Sequence, residues 1–160
     1  MSQLRPKTIE QSRTEQVHIL MPGEINGNGR LFGGVLMQWI DIVAAVVARR
    51  HSGHDVTTAS VDNLTFHAPA YENDTVILIG KITCVGRTSM EVSVESFVEA
   101  LNGERKRINH AYVTMVAVDG DSIPQPVPGL LLETDKQRGE YEAGKKRQQR
   151  RKELREEQSI

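Results

Sequence analysis

"LFGGVLMQWIDIVAAVVARRH", residues 31–51, is the stretch that decides the fold. Between Val35 and Ala48 it holds twelve apolar residues, one amide (Gln38) and one carboxylate (Asp41). The apolar positions point to every side, so the spacing predicts a helix over about residues 33–51 that is buried nearly all round. Upstream, "GEINGNGRLFGG" (23–34) packs five glycines and two asparagines into twelve positions and reads as loop. An ionised carboxylate with no partner in such a core costs on the order of several kcal/mol. Something therefore compensates Asp41, or the helix meets water there. Hydroxyls of "VTTAS" or "LTFH" could bond it, or it lines a cleft as a working carboxylate.

Gly34 precedes Asp41 by two helical turns, which puts both on one side with about 10 Å of rise between them. The first-turn amides are unpaired donors at the positive end of the helix dipole. A carbonyl lying along that side meets a donor at one end and a carboxylate-bound water nearer the middle. Those are the two elements of acyl transfer to water. The sequence shows no G-x-S-x-G elbow, Cys-His context, P-loop or dinucleotide fingerprint.

Around this helix the chain reads as strands. "TEQVHILM" (14–21) sets Val17, Ile19 and Met21 on one side and ends at Pro22. "VTTASVDNLTFHAP" (56–69) is a long strand closed by Pro69, and "DTVILIGKITCV" (74–85) follows. Gly86-Arg87 reads as a two-residue hairpin turn into "TSMEVSVESFVEAL" (88–101). That arm alternates Met90, Val92, Val94 and Val98 against Glu91, Ser93, Glu95 and Glu99. Asn102-Gly103 turns the chain into "INHAYVTMVAV" (108–118), apolar on both faces as a central strand would be. One flat sheet cannot cover a helix that is apolar on every side. The expected fold class is α+β, an antiparallel sheet curled around one central helix, with a second subunit over what remains. That arrangement is the hot-dog fold. Residues 1–128 form this domain and 129–160 a charged helical tail.

The chain has 160 residues, of which 26% are charged and 38% apolar, which suits one soluble globular domain. The longest apolar run (39–48) is too short to span a bilayer. "MSQLRPKTIEQSRTEQ" has no apolar signal core, so a cytoplasmic location is expected. Cys84 is the lone cysteine and cannot form an intrachain disulfide. His18, His51, His54, His67 and His110 show no ligand spacing, so no metal is expected. Arg49, Arg50 and His51 suit the C-terminal end of the helix dipole, and Trp39 reads as core packing. Residues 135–157 carry nine Lys/Arg against six Asp/Glu within a net charge of −1. The tail is either a solvated helix or a contact for a partner, and no aromatic platform favours nucleic acid.

"MPGEINGNGRLFGGVLMQWIDIVAAVVARRH", "VGRTSMEV" and "GERKR" together resemble the acyl-CoA thioester hydrolases of the hot-dog superfamily, over about residues 12–128. The nearest branch is that of small single-domain bacterial enzymes, related to the two-domain cytosolic hydrolases of animals. The resemblance implies that Asp41 is general base or nucleophile and that Asn26 is its catalytic companion, with Asn28 a rival for that place. Turn chemistry alone also accounts for both asparagines. It implies a site shared across a dimer interface, and a homo-oligomer that is often a trimer of dimers. It implies that Gly86, Arg87, Thr88 and Ser89 contact coenzyme A. Arg87 offers a planar cation for phosphate, and the turn offers further donors, although a hairpin needs no function. Lys106 and Arg107 reach phosphates or simply charge a strand edge.

Related dehydratases carry a catalytic His, and here only His51 is near, at the wrong end of the helix. Acyl-CoA-sensing regulators are fused to DNA-binding helices, and no such pattern precedes residue 14. The expected activity is hydrolysis of acyl-CoA to free acid and coenzyme A, with backbone amides near Gly34 holding the carbonyl oxygen. No cofactor is needed beyond the coenzyme carried by the substrate, and neither nucleic acid nor membrane is an expected partner. The alternatives are a non-enzymatic acyl-CoA binder whose basic tail engages a partner, and a thioesterase for acyl carrier protein.

Overall fold

A computed structural model describes residues 4–159. The first three residues of the polar N-terminal stretch and the last residue of the tail lie outside the described residues. The elements are β1 (Lys7–Thr8), β2 (Thr14–Ile19), a 3-10 turn (Pro22–Glu24), α1 (Gly33–Ser52), β3 (Asp55–Phe66), β4 (Thr75–Val85), β5 (Ser89–Glu99), β6 (Arg105–Val118), β7 (Leu130–Leu131) and α2 (Asp135–Gln158). β2 to β6 form one antiparallel sheet in the order β2-β4-β5-β6-β3. β1 and β7 pair in parallel beside it.

The sheet wraps α1, which touches all five of its strands. Leu36, Ile40, Val43, Ala44, Val47 and Ala48 of the helix are buried against the inner row, which includes Leu78, Val92, Ala111 and Val113. Gly80 is the point of closest approach. A Cβ there would stand 2.6 Å from Val43 Cγ1, so only glycine lets the helix lie this near the sheet. Gly53, at φ 70, ends α1 by donating its N–H to Arg49 O. At this point the α+β, hot-dog arrangement expected from the sequence is borne out.

As expected of a single chain, the sheet does not cover α1 all round. Gly34, Met37, Gln38, Asp41 and Ile42 form an exposed strip along it. Glu91 and Ser93, on the polar face of β5, are buried as well. The tail, for which a solvated helix and a partner contact were the alternatives, folds back on its own chain with much of its surface still exposed. Its helix α2 packs on the outer face of the sheet, so β4 is covered on both faces. Four bases of the tail, Arg138, Lys145, Arg147 and Arg151, have partners within the chain. Glu91, 1% exposed, accepts from Arg147 at 2.7 Å and Arg151 at 2.9 Å, and also from Thr83 Oγ1 at 2.6 Å. Arg151 reaches on to Asp62 of β3 at 2.8 Å, and the Arg147 guanidinium lies over the Tyr112 ring at 3.7 Å. Gly144 makes room for the helix, since a Cβ there would stand 2.8 Å from Cys84 Sγ. Burial pushes the Cys84 thiol up to about 11, so it is an inert packing group.

Candidate active site

Asp41 sits on the open strip of α1, facing β3. Thr58 Oγ1 donates to Asp41 Oδ1 at 2.7 Å, a charge-assisted bond. The second oxygen, Oδ2, has no partner among the described residues. Beside the carboxylate lies a cavity of about 160 Å³ whose other lining, Met37, Ile40, Val61, Leu64 and Val113, is entirely apolar. The carboxylate is therefore exposed in a single chain, at the lip of an oily cavity, instead of standing inside the core. Its face is apolar and open as well: Met37 is 48% exposed, Ile42 42%, Val61 44% and Phe66 51%. The hydroxyl partner came from "VTTAS": Thr58 pairs with the buried Met115 of β6, just before a register shift between Thr58 and Ser60.

The start of α1 supplies donors. Phe32 is the N-cap, with extended backbone and no side-chain oxygen to cap the helix. The amides of Gly33 and Gly34 are thus left without a side-chain cap, and Gly34 lies on the same open strip as Asp41. A Cβ at Gly34 would stand 2.8 Å from the Phe32 ring.

Asn26 does two things. Its Oδ1 accepts from the amides of Asn28 (2.9 Å) and Arg30 (3.3 Å), which folds the glycine loop, with Gly29 at φ 72. Its amide nitrogen has no partner among the described residues, and Asn26 lines a second cavity of about 310 Å³ with Arg30, Leu36, Phe66 and His67. Asn28 is exposed and lines neither cavity. Asn26 and Asp41 lie on separate cavities, and one chain does not bring them together.

The β4–β5 turn lies one residue further on than expected. Gly86 N donates to Ser89 O at 2.9 Å, leaving Arg87 and Thr88 as the two loop residues. Val127 N donates to Arg87 O and Ala117 N to Thr88 O, which clamps the turn, and the Lys145 ammonium of α2 donates to Val85 O beside it. The Arg87 side chain is exposed. Arg107 pairs with Glu95, and Arg105 with Glu15 and Glu99, so "GERKR" makes ion pairs at the β5–β6 hairpin end, although β6 is an interior strand and not the edge expected.

His51 is not a cation at a helix end. It is fully buried, its Nε2 stands 2.7 Å from Pro128 O, and its Nδ1 has no partner. Burial pushes its pKa below the ordinary histidine value against the opposing pull of the Pro128 carbonyl. Trp39 is core and stacks on His18, ring centroids 4.0 Å apart, away from the cavity at Asp41.

Known proteins give this geometry a context. The model of the thioesterase superfamily matches residues 28–101. YkhA of Bacillus subtilis, named as an uncharacterized acyl-CoA thioester hydrolase, is 36% identical over 80% of this chain and 75% of its own length. An apo-hexameric acyl-CoA thioesterase superposes with a TM-score of 0.90 at 37% identity, covering 94% of this chain and 97% of that one. An acyl-CoA hydrolase from Staphylococcus aureus, solved with butyryl coenzyme A and coenzyme A, superposes at 0.89 with 32% identity, covering 95% and 94%. That enzyme was also solved as alanine variants of an aspartate, a threonine and an asparagine. By fold, sequence and extent of match, this chain belongs to the acyl-CoA thioester hydrolase family of the thioesterase superfamily.

Proposed function

We propose that this protein hydrolyses acyl-CoA thioesters to the free acid and coenzyme A, with Asp41 acting on the thioester as general base or nucleophile. One observation carries this: a carboxylate with one oxygen pinned by Thr58 and the other free, on the rim of an otherwise apolar cavity. As a base, the free oxygen takes a proton from water, whose hydroxyl adds to the carbonyl. As a nucleophile, it adds to the carbonyl itself, and water opens the resulting anhydride. In both routes the C–S bond breaks and the leaving thiolate takes up a proton. The uncapped amides at Gly33 and Gly34 stabilise the developing oxyanion. Label from heavy-oxygen water found in Asp41 after a single turnover identifies the nucleophilic route, with water opening the anhydride at the Asp41 carbonyl.

Support comes from the Staphylococcus aureus enzyme. The asparagine, aspartate and threonine replaced there are spaced along that chain as Asn26, Asp41 and Thr58 are spaced here. The site is completed by a second copy. β3 is the last strand of the sheet, its outer edge is unpaired, and the apolar strip of α1 lies beside it. A two-fold pairing at that edge covers Met37, Ile42, Val61 and Phe66 and carries Asn26 of the partner subunit to Asp41. Three such dimers give the hexamer named for a relative of the same fold. The Gly86–Ser89 turn binds coenzyme A, with Arg87 on a phosphate. Water is the only co-reactant, and the cytoplasm is the compartment. Among the described residues no helix is long and apolar enough to cross a membrane.

The test is Asp41→Asn, which keeps volume and removes the charge. Turnover of acyl-CoA falls by roughly a thousandfold, within the range for loss of a general base, while coenzyme A still binds. A variant that keeps wild-type turnover refutes the assignment.

A further inference from the structure

The strand β3 breaks its alternation beside Asp41. Val61 and Leu64 both line the apolar cavity at the carboxylate, although an odd number of positions separates them. In a regular strand such residues face opposite sides of the sheet. The pairing with β6 shows how they come to share one side. Val61 stands opposite Val113, Asp62 opposite Tyr112 and Thr65 opposite His110, which leaves both Asn63 and Leu64 opposite the single residue Ala111. Asn63 takes φ 54, a left-handed backbone uncommon outside glycine, and the bulge brings Leu64 onto the face of Val61. Two of the other walls belong to the core, Ile40 at 2% exposure and Val113 at 0%. Thr58, bonded to Asp41, is followed along β3 by Val61 and then Leu64, so Leu64 stands at the end of the cavity away from the carboxylate.

Building on the acyl-CoA reading, we propose that Leu64 sets the acyl-length limit of this enzyme, closing the cavity to chains of more than about six carbons beyond the carbonyl. An apolar cavity of about 150 Å³ takes up one benzene ring, about six carbons. This one, of about 160 Å³, has room for a chain of similar size and none for a long fatty acyl tail. Apart from Asp41 its lining offers an alkyl chain dispersion contacts and no hydrogen bond. The carbonyl stays at the rim with Asp41, and the chain runs inwards past Met37 and Val61 to Leu64. Met37 is unbranched and 48% exposed, so it bends to fit chains of different lengths. Leu64 is branched, half-buried and fixed by its bulge, so it does not give way.

The experiment measures kcat/KM for saturated acyl-CoAs from acetyl to dodecanoyl in the wild type, Leu64→Ala and Leu64→Phe. In the wild type the value climbs by about fourfold per added methylene from acetyl to hexanoyl, the gain for burying each one. It levels by octanoyl and falls by about tenfold by dodecanoyl, whose chain overfills the cavity. Leu64→Ala takes carbons out of the end wall and moves the maximum to decanoyl. Leu64→Phe fills the same end and moves the maximum down to butyryl. A residue that only supports the fold would shift no maximum, still less in opposite directions. The two variants change volume with opposite sign, so either one that folds decides the matter. A wild-type profile that keeps climbing to dodecanoyl, or a maximum that stays in place in a folded variant, overturns the proposal while the thioesterase reading stands. A wild type that turns over no acyl-CoA of any length refutes the thioesterase reading, and the length limit falls with it.

Discussion

Thr58→Val removes one proton donor and leaves a side chain of nearly the same shape. In the structure that donor makes a 2.7 Å bond to Asp41 Oδ1, and the carboxylate makes no other bond among the described residues. A hydrogen bond to a charged group is worth about 1.5–3 kcal/mol. Both residues are exposed in the single chain, which argues for the lower half of that range. Loss of about 1.5–2 kcal/mol of positioning corresponds to roughly a 10- to 30-fold fall in kcat. KM changes little, because the bond orients the reacting carboxylate and touches no remote part of the substrate. The assay is steady-state hydrolysis of a short acyl-CoA, followed through the released thiol, in wild type, Thr58→Val, Asp41→Asn and the double variant. Since Thr58 acts through Asp41, the double variant is no slower than Asp41→Asn. Two results would refute the reasoning: a Thr58→Val enzyme within twofold of wild type, or full additivity in the double variant.

Glu91→Ala leaves Arg147 and Arg151 facing one another under α2. Removing one member of a buried ion cluster costs about 3–5 kcal/mol, and the partial exposure of both arginines points to the low end. At 2–4 °C per kcal/mol for a chain of this size, Tm falls by about 6–12 °C, and a fall under about 2 °C contradicts the buried role. His51 binds a proton less readily folded than unfolded, and the same direction holds for His18 and His110. The unfolded chain therefore takes up more protons as pH drops through the ordinary histidine value of 6.5, so Tm decreases from pH 7.5 to pH 5.5. Glu91, held below the usual carboxylate range by its arginine and threonine partners, adds a further loss only at more acidic pH. A Tm that is flat or rising over pH 7.5 to 5.5 contradicts this. Val61→Lys puts a charge on the open edge of β3, so light scattering should find monomer and the activity should vanish. An intact, active oligomer would remove β3 as the dimer edge.

The local pattern alone carried the long helix, the five strands β2 to β6, the Asn102-Gly103 turn and the prominence of Asp41, because periodicity and turn chemistry act over a few residues; the two-residue β1 and β7 gave no such signal. The span of about 33–51 could be read from an apolar run after a glycine loop, one residue short of the observed end at Ser52. The burial of that helix could not be. Whether Met37 and Ile42 are covered depends on the order of strands around them, and β3 ends the sheet on that side. Likewise "VTTAS" offered hydroxyls, but only the register between β3 and β6 aims Thr58 at Asp41. Glu91 and Arg147 are 56 positions apart, and neither the polar face of β5 nor the basic tail signals by itself that the two meet. Opposite charges far apart in sequence look solvated until the fold brings them into one dry place. For this protein the chain pattern determined which elements form, whereas the tertiary structure decided which faces stay open, because burial belongs to pairs of surfaces and not to residues.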